Sequence, residues 1–483
     1  MRELHHQKNK TDSSDMPKDI FHCKIDEYMK SKITLIYCFL SIFLLTNSVQ
    51  SQSLRDKIGQ LLIVGFYQYD NFMDTLWIDI TERSLGGVIL YGKNIISPSQ
   101  IQDLTAQLQQ AATIPLFIAT DQEGGYVARL RANNGFSDTY SAYTLGTIFN
   151  SEDSTRGTAN LMAQWLYESG ININLAPVVD VNVNPSSPAI GYWERSFSNN
   201  PMTVFYHASW FIDEFSQMNI VTSLKHFPGH GSAEEDSHLG FTDITNTWAD
   251  SELIPYKQLI GQGYSDLIMI GHLFNANLDS IYPASLSYNT ITGLLKDSLG
   301  FTGTVVTDEL LMGAIVNNYA FDQAIELTIN AGTDILLYRT NEWNNLSLVR
   351  SVINVVEQKV NSGLIPMSRI DDAYNKVLAL KQRIISEYKP LANNQIPKDL
   401  NLINYPNPFN NTTTIKFSLP KTDLVTLNIY NMIGQKITTI VSENLVAGNY
   451  KYHWDASKYA SGIYYYKIES GEYQQVNKMI LLK

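Results

Sequence analysis

The chain has 483 residues, of which 44% are hydrophobic and 17% charged, a composition typical of a globular protein long enough for two domains. Its formal net charge of −12 argues against nucleic acid as a main partner, because phosphate binding needs a basic surface.

Residues 1–52 are interpreted as a leader. A polar stretch, 1–28, precedes Met29, after which a short basic segment leads into the apolar run Ile33–Thr46. That run is shorter than the ~20 residues that a membrane-spanning helix needs, so we predict a signal peptide that starts at Met29 and no stable membrane span. Cys23 and Cys38 both lie in this leader, so the mature chain is expected to be exported without any thiol.

Residues 53–389 alternate short, β-rich apolar runs with amphipathic segments, which predicts a parallel sheet buried on both faces. The predicted strands are Leu61–Phe66, Gly87–Tyr91, Leu116–Thr120, Ile173–Val179, Ile220–Leu224, Asp266–Ile270, Thr304–Thr307 and Thr333–Tyr338. The predicted helices include Pro98–Ala111, Thr203–Met218, Ser251–Gly261, Tyr319–Asn330 and Ser351–Glu387, the last interrupted at Gly363 and Pro366.

Eight such strands favour the α/β class and a (β/α)₈ TIM barrel with enlarged loops. The alternative is an open, doubly wound sheet, which would carry a phosphate-binding glycine loop after its first strand. Residues 65–68 do not form such a loop.

Residues 390–402 are predicted to be a linker, and residues 403–483 a small all-β domain. Polar and apolar residues alternate there between turn signals, so we predict an immunoglobulin-like β-sandwich. Its predicted strands are Thr413–Leu419, Leu424–Tyr430, Gln435–Val441, Tyr450–Trp454, Ile463–Glu469 and Val476–Leu482.

Acidic and basic residues follow five of the predicted barrel strands, where a TIM barrel carries its active site. They are Asp121, Glu123 and Arg129 after strand three, Arg195 after strand four, Lys225–His238 after strand five, His272 after strand six, and Asp308 and Glu309 after strand seven. They are expected to converge on one pocket.

Asp308 directly follows the apolar run Thr304–Thr307, so its carboxylate is expected at the barrel rim. A carboxylate placed there can attack the anomeric carbon of a sugar. The competing interpretation is a helix N-cap for the residues from Leu310 onward.

Asp236 and His238 lie two residues apart in a glycine-containing loop. An aspartate that accepts one imidazole N–H leaves the other ring nitrogen available for proton transfer. His226 and His230 are four apart, but Pro228 and Gly229 between them exclude a helical zinc pair, so no metal is expected.

Asp121, Arg129, Arg195 and Lys225 could bind a polyhydroxylated substrate or could be ion pairs of the barrel rim. His272 is a further substrate-binding candidate because of its position at a strand end.

These motifs resemble glycoside hydrolase family 3, and within it the β-N-acetylhexosaminidase branch. The segments are DQEGG at 121–125, KHFPGHG at 225–231, DSH at 236–238 and VTDEL at 306–310. The resemblance covers about residues 54–388. Tyr126 departs from it, because the motif commonly has Arg there, and Glu309 is the fallback nucleophile.

The resemblance implies roles for individual residues. Asp308 would be the nucleophile, and His238, supported by Asp236, the general acid/base. Asp121, Arg129, Arg195, Lys225 and His226 would contact the sugar.

The tail resembles the C-terminal sorting domain of the type IX secretion system, on the motif YPNPF at 405–409 and the basic, apolar C-terminus. A carbohydrate-binding or spacer module is the alternative. The resemblance implies export through the Sec pathway and then through type IX machinery, to the cell surface or the medium.

The expected function is removal of terminal β-linked N-acetylglucosamine from a glycan, with no cofactor. The family alternatives are a β-glucosidase or β-xylosidase and a glycoside phosphorylase, since a neutral imidazole repels incoming phosphate less than a carboxylate does. The alternative of another class is a secreted, non-catalytic glycan-binding protein.

Overall fold

The computed structural model describes residues 52–66, 73–237, 239–387, 402–405, 407–419, 421–445, 448–471 and 473–483. The predicted leader up to residue 51, most of the predicted linker and His238 therefore lie outside the described residues. The chain divides into two compact units, the first ending at Lys381 and the second beginning at Gln382.

The first unit is built on eight parallel strands. They are β1 (Leu62–Gly65), β2 (Gly87–Leu90), β3 (Phe117–Thr120), β4 (Ile173–Asn174), β5 (Val221–Phe227), β6 (Leu267–Ile270), β7 (Thr304–Thr307) and β8 (Leu336–Tyr338). Each strand pairs with the next, β8 pairs with β1, and a parallel bridge between Val306 and Ile335 joins β7 to β8. Every residue of these strands is buried, as expected for a sheet covered on both faces.

Ten α-helices in the described residues connect or flank these strands. They are α1 (Leu54–Gln60), α2 (Met73–Glu82), α3 (Pro98–Ala111), α4 (Glu152–Glu168), α5 (Pro201–Gln217), α6 (Ile254–Gly261), α7 (Gly313–Val316), α8 (Phe321–Ala331), α9 (Leu348–Asn361) and α10 (Met367–Glu387). Capping residues fix where two of these helices begin. Ser97 and Asn200 are the N-caps of α3 and α5, and each directly precedes a proline at the first helical position.

The barrel prediction is confirmed, and the largest differences at the carboxyl ends of the strands are in β4 and β5. β4 ends at Asn174, after which only a bridge between Val178 and Lys225 continues the pairing. β5 runs on to Phe227, so Lys225 and His226 lie within the strand, whereas the sequence placed them in the loop after it.

The loops at the carboxyl ends of the strands are enlarged. Two short segments there, Thr242–Asp243 and Leu273–Phe274, pair in parallel after β5 and β6. Glu342–Trp343 and Leu346–Ser347 form a small antiparallel pair after β8. Turns of π-helix, Thr144–Phe149 and Asn289–Ser298, complete the connections that follow β3 and β6.

The second unit consists of two antiparallel sheets. Its strands are β9 (Leu402–Tyr405), β10 (Thr412–Leu419), β11 (Asp423–Asn431), β12 (Lys436–Leu445), β13 (Gly448–Asp455), β14 (Gly462–Ser470) and β15 (Tyr473–Leu481). One sheet has the order β9-β10-β13 and the other β12-β11-β14-β15. Residues of both sheets, such as Phe417 and Ile468, share one apolar core, while the immunoglobulin-like topology stays a prediction.

Candidate active site

A cavity of about 700 Å³ opens at the carboxyl ends of the barrel strands, a size typical of small-ligand sites. Side chains from β2, β5, β6 and β8, and from the loops that follow β2, β3, β4, β5, β7 and β8, line it. Eight of the nine residues predicted for the site are described. Seven of them line the cavity: Asp121, Arg129, Arg195, Lys225, His226, Asp236 and Asp308.

Asp121 is clamped between two cations. Its carboxylate oxygens lie 2.8 Å from Nζ of Lys225 and 2.9 Å from Nη2 of Arg129. Burial raises the pKa of Asp121, but the charges of Lys225 and Arg129 outweigh burial and hold that pKa well below its usual range. Asp121 is therefore an ionised hydrogen-bond acceptor inside the cavity.

Glu123 forms a second buried carboxylate next to the first. Arg195 binds it with two parallel hydrogen bonds, of 2.9 Å from Nε and 2.8 Å from Nη2, and Nζ of Lys225 lies 2.7 Å away. Burial opposes ionisation here too, but Arg195 and Lys225 lower the pKa of Glu123 to about 2. Lys225 thus bridges two carboxylates, and its pKa is raised because they outweigh the effect of burial.

His226 is oriented by a buried aspartate that directly follows the predicted fourth strand. Nδ1 of His226 lies 2.7 Å from Oδ2 of Asp180, and Nε2 lies 3.3 Å from Nη2 of Arg195. A guanidinium only donates, so Nε2 of His226 accepts and Nδ1 donates to Asp180. Oδ1 of Asp180 also accepts the backbone N–H groups of His226 and His230, at 3.0 and 2.8 Å.

Asp308 is half-buried at the end of β7 and lines the cavity. Its Oδ1 accepts the backbone N–H of Glu309 at 2.8 Å. Helix α7 begins only at Gly313, with Met312 at its N-cap, so the N-cap interpretation of Asp308 is wrong.

The carboxylate of Glu309 accepts hydrogen bonds from backbone groups. Its Oε1 accepts N–H groups of Leu311 at 3.0 Å and of Arg339 at 3.1 Å, and burial raises the pKa of its carboxyl. These bonds tie the ends of β7 and β8 together. They favour a structural role for Glu309 beside Asp308.

Asp236 lines the cavity from the loop that follows β5, next to His238, which is outside the described residues. Two side chains form hydrogen bonds with the backbone at the start of this loop. Oε2 of Glu252 accepts the N–H of Gly231 at 3.1 Å, and Nε1 of Trp248 donates to the carbonyl of Pro228 at 3.1 Å. Burial raises the pKa of Glu252 to about 7.

His272 does not line the cavity. It is 1% exposed, its Nε2 donates to the carbonyl of Glu309 at 2.9 Å, and its Nδ1 lies 2.7 Å from Oγ of Ser285. A ring held in this way favours support of the Asp308–Glu309 backbone over contact with substrate.

The sequence prediction missed Asp180 and Glu252 and left Glu123 without a role. Asp180 follows an apolar run as Asp121 and Asp308 do, and this signal could have identified it. Glu252 gave no such signal, because it lies in a short helical turn that only the fold brings beneath the loop.

No group of three or more His, Cys, Asp or Glu residues suited to a metal occurs in the described part of the chain. Among its described helices, none has both the length and the apolar composition needed to cross a bilayer.

Comparison with known families matches residues 53–380 to the glycosyl hydrolase family 3 N-terminal domain and residues 404–482 to a secretion system C-terminal sorting domain. Beta-hexosaminidase A of Pseudoalteromonas piscicida is 36% identical over 280 residues, which are 53% of this chain and 46% of that protein. Beta-hexosaminidase of Tolumonas auensis is 34% identical over 298 residues, which are 59% of this chain and 86% of that protein.

Solved structures show the same fold. A family 3 β-N-acetylglucosaminidase from Paenibacillus sp. FPU-7 superimposes with a TM-score of 0.64 at 33% identity, covering 69% of this chain and 63% of that one. The β-N-acetylhexosaminidase from Beutenbergia cavernae gives a TM-score of 0.62 at 31% identity, covering 68% of this chain and 99% of that one. The chain thus spans less than two thirds of some of its relatives and nearly the whole of others.

Proposed function

The chain belongs to glycosyl hydrolase family 3 and is a glycoside hydrolase, and from this we propose that it is a retaining exo-β-N-acetylglucosaminidase. The proposed reaction removes a terminal β-linked N-acetylglucosamine from peptidoglycan fragments or chitooligosaccharides. The names of the β-hexosaminidase and β-N-acetylglucosaminidase relatives support the choice of sugar.

One observation carries the proposal. The cavity holds Asp308 and Asp236 together with a wall of paired charges, Asp121, Lys225 and Arg195 among them. Each sugar hydroxyl can both donate and accept a hydrogen bond, so carboxylates and cations side by side suit a polyhydroxylated ring.

In the first proposed step, a carboxylate oxygen of Asp308 attacks the anomeric carbon. The glycosidic bond breaks as the new C–O bond forms, and the leaving oxygen takes a proton from His238. The hydrogen bond from Glu309 N–H to Oδ1 of Asp308 orients the carboxylate for this attack.

In the second step, His238 takes a proton from water, and the water oxygen replaces Asp308 at the anomeric carbon. The sugar leaves with its original β configuration, and both residues return to their starting protonation states. Asp236 holds the imidazole during both proton transfers.

The wall of paired charges does not need to change protonation during this cycle. Lys225 and Arg129 keep Asp121 ionised, and Arg195 and Lys225 keep Glu123 ionised, because in each case the two positive charges outweigh burial and lower the pKa of the carboxyl. These groups are therefore fixed partners for hydroxyl and amide groups of the sugar.

Para-nitrophenyl N-acetyl-β-glucosaminide tests the proposal, with Asp308→Asn as the inactive control. We expect release of nitrophenol and β-N-acetylglucosamine as the first-formed anomer, followed by proton NMR. An α anomer would contradict the retaining mechanism, and sugar 1-phosphate formed in phosphate buffer would favour the phosphorylase. No turnover of this compound, or of the glucoside and xyloside, would favour the non-catalytic glycan-binding protein.

The sorting domain in residues 404–482 supports export. In this proposal the leader directs Sec export, type IX machinery carries the protein across the outer membrane, and residues 403–483 are removed at the cell surface or in the medium. Mass spectrometry of the secreted protein tests it, with retention of the tail as the contradicting result.

A further inference from the structure

Two large aromatic side chains stand exposed at the mouth of the cavity. Tyr126 is 57% exposed and Trp193 is 44% exposed, although both line the cavity. Their ring centroids are 5.8 Å apart, with planes inclined at 70°. An exposed aromatic cluster continuous with a binding cavity commonly marks a contact surface for ligand.

The backbone beneath Tyr126 is fixed by one guanidinium. Nη2 of Arg131 donates to the carbonyl of Gly125 at 3.0 Å and also to the carbonyl of Tyr126. The N–H of Glu123 donates to the carbonyl of Val127 at 2.9 Å, which closes the turn that carries Tyr126. The side chain of Tyr126 therefore projects from a hydrogen-bonded turn, which begins next to the wall of paired charges.

The loop that carries Trp193 is fixed as well. Oγ of Ser141 donates to Oε2 of Glu194 at 2.6 Å, and the N–H of Tyr143 donates to the carbonyl of Glu194 at 3.1 Å. Tyr192 supports the indole edge-on, with ring centroids 5.0 Å apart. Because the backbone that carries both rings is held by these hydrogen bonds, ligand binding on them costs little backbone conformational entropy.

The chemistry of this part of the rim favours a neutral sugar ring. Val127, the chain neighbour of Tyr126, and Pro188 and Ala189, on the loop that carries Trp193, also line the cavity, and none of the three is charged. A pyranose ring presents a flat face of C–H groups that packs on an aromatic side chain, while its hydroxyls stay at the edge in water. Cationic rim residues, Lys93 and Arg339, also line the cavity and would instead favour an anionic group.

We propose that Tyr126 and Trp193 form a binding subsite for the sugar on the leaving-group side of the scissile bond, and that this subsite selects neutral, β-linked glucosaminyl oligosaccharides. The inference rests on the proposed function, because a leaving-group subsite requires that the cavity cleave a glycosidic bond. It identifies the preferred substrate class as chitooligosaccharides over peptidoglycan fragments, whose muramyl groups carry a carboxylate.

Two substrates separate the subsite from the catalytic groups. N-acetyl-β-glucosaminyl fluoride has a single-atom leaving group, whereas the leaving group of diacetylchitobiose is a whole sugar. For Tyr126→Ala and Trp193→Ala we expect kcat/KM to fall about tenfold on chitobiose and to stay within about twofold on the fluoride. Tyr126→Phe and Trp193→Phe keep a ring and should keep most of the chitobiose rate.

Tyr206→Ala is the matched control. Tyr206 is 49% exposed and packs near Trp210 on α5, so it is a solvent-facing aromatic residue in a cluster that does not line the cavity. Its removal should change neither rate. Equal losses on both substrates in the Tyr126 and Trp193 variants, or no loss on either, would overturn the inference.

A third substrate tests whether the subsite prefers an anionic, muramyl-containing sugar instead. On a disaccharide of N-acetylglucosamine and N-acetylmuramic acid, the Tyr126→Ala and Trp193→Ala variants should lose less than on chitobiose. A greater loss on the muramyl compound would overturn the selection of neutral sugars.

Failure of the proposed function has a different signature, because wild-type protein would then turn over neither the fluoride nor chitobiose. Titration of Asp308→Asn with chitobiose and with N-acetylglucosamine, followed by tryptophan fluorescence, distinguishes the two failures. The subsite predicts tighter binding of the disaccharide, which is lost in Asp308→Asn combined with Trp193→Ala. Equal affinity for the two sugars would overturn the subsite.

Discussion

Both ends of the barrel bury charged groups, but they do so in different ways. At the cavity end, β3 and β5 with their following loops supply Asp121, Glu123 and Lys225 as mutual counter-ions, and the space above them stays open. At the opposite end, just before β8, the buried Asp334 is neutralised by Arg369 of α10, and Nζ of Lys296 lies 3.9 Å away. Lys381, on the same helix, is also buried at this closed end and donates to the carbonyl of Gly86, just before β2.

The net shift in pKa is therefore opposite for two lysines. Burial favours the neutral amine of both, but Asp121 and Glu123 outweigh it and raise the pKa of Lys225. The pKa of Lys296 falls to about 8, because burial prevails over the more distant Asp334. A buried charge with a close counter-ion does not by itself mark an active site, because Asp334 and Arg369 form such a pair as well; the open cavity distinguishes the two ends.

The largest effect on activity is expected from a substitution at the cavity end of the barrel. Asp308→Asn keeps an oxygen that can accept the Glu309 N–H but cannot act as a nucleophile. We expect kcat on the para-nitrophenyl glycoside to fall about 10⁴-fold, with the melting temperature unchanged. A variant that kept its rate, or lost rate only because it unfolded, would contradict the role of Asp308.

Lys225→Met should affect both activity and stability. The change leaves Asp121 and Glu123 buried side by side without the ammonium that bridges them. We expect kcat/KM to fall about 10²-fold and the free energy of unfolding to fall by about 4 kcal/mol. Urea denaturation and initial rates measure the two effects, and unchanged stability would contradict the bridging role.

Asp334→Asn is the counterpart at the closed end. It leaves the guanidinium of Arg369 without its buried partner, so the free energy of unfolding should fall by about 3 kcal/mol. Because Asp334 lies at the opposite end of the barrel from the cavity, kcat/KM of the folded protein should stay within about twofold. A loss of rate comparable to that of Lys225→Met would break the distinction between the two ends.

Glu252 gives the smallest expected effect, and it depends on pH. Burial raises the pKa of its carboxyl in the folded protein from 4.5 to about 7, so the folded state binds a proton that the unfolded state releases. This contribution is fully present below pH 4.5 and is lost as the pH rises through about 7; its size is at most about 3 kcal/mol.

Glu252→Gln cannot ionise and keeps an oxygen to accept the N–H of Gly231. The variant should therefore gain stability relative to wild type as the pH rises from about 5 to about 8. Melting temperatures of the two proteins, measured as a function of pH over this interval, would show the difference. Parallel curves for the two proteins would show that Glu252 does not titrate as described.

Much of the barrel and of the cavity lining could be predicted from the sequence. Continuous apolar runs such as Thr304–Thr307 mark strands buried on both faces, and polar residues directly after them lie at one end of the barrel. Asp121 and Asp308 reach the same cavity for this reason. His238 remains a prediction from the sequence.

Local order along the chain thus determined the elements, the end of the barrel that carries the chemistry and the family to which the chain belongs. Only the tertiary structure decided which charges pair, because ion pairs such as Glu123–Arg195 join residues that are far apart in sequence. Packing likewise brought Glu252 beneath the loop of Asp236 and directed His272 to the backbone of Glu309. Sequence periodicity records which face of an element is buried, whereas partners across the barrel depend on how the strands close.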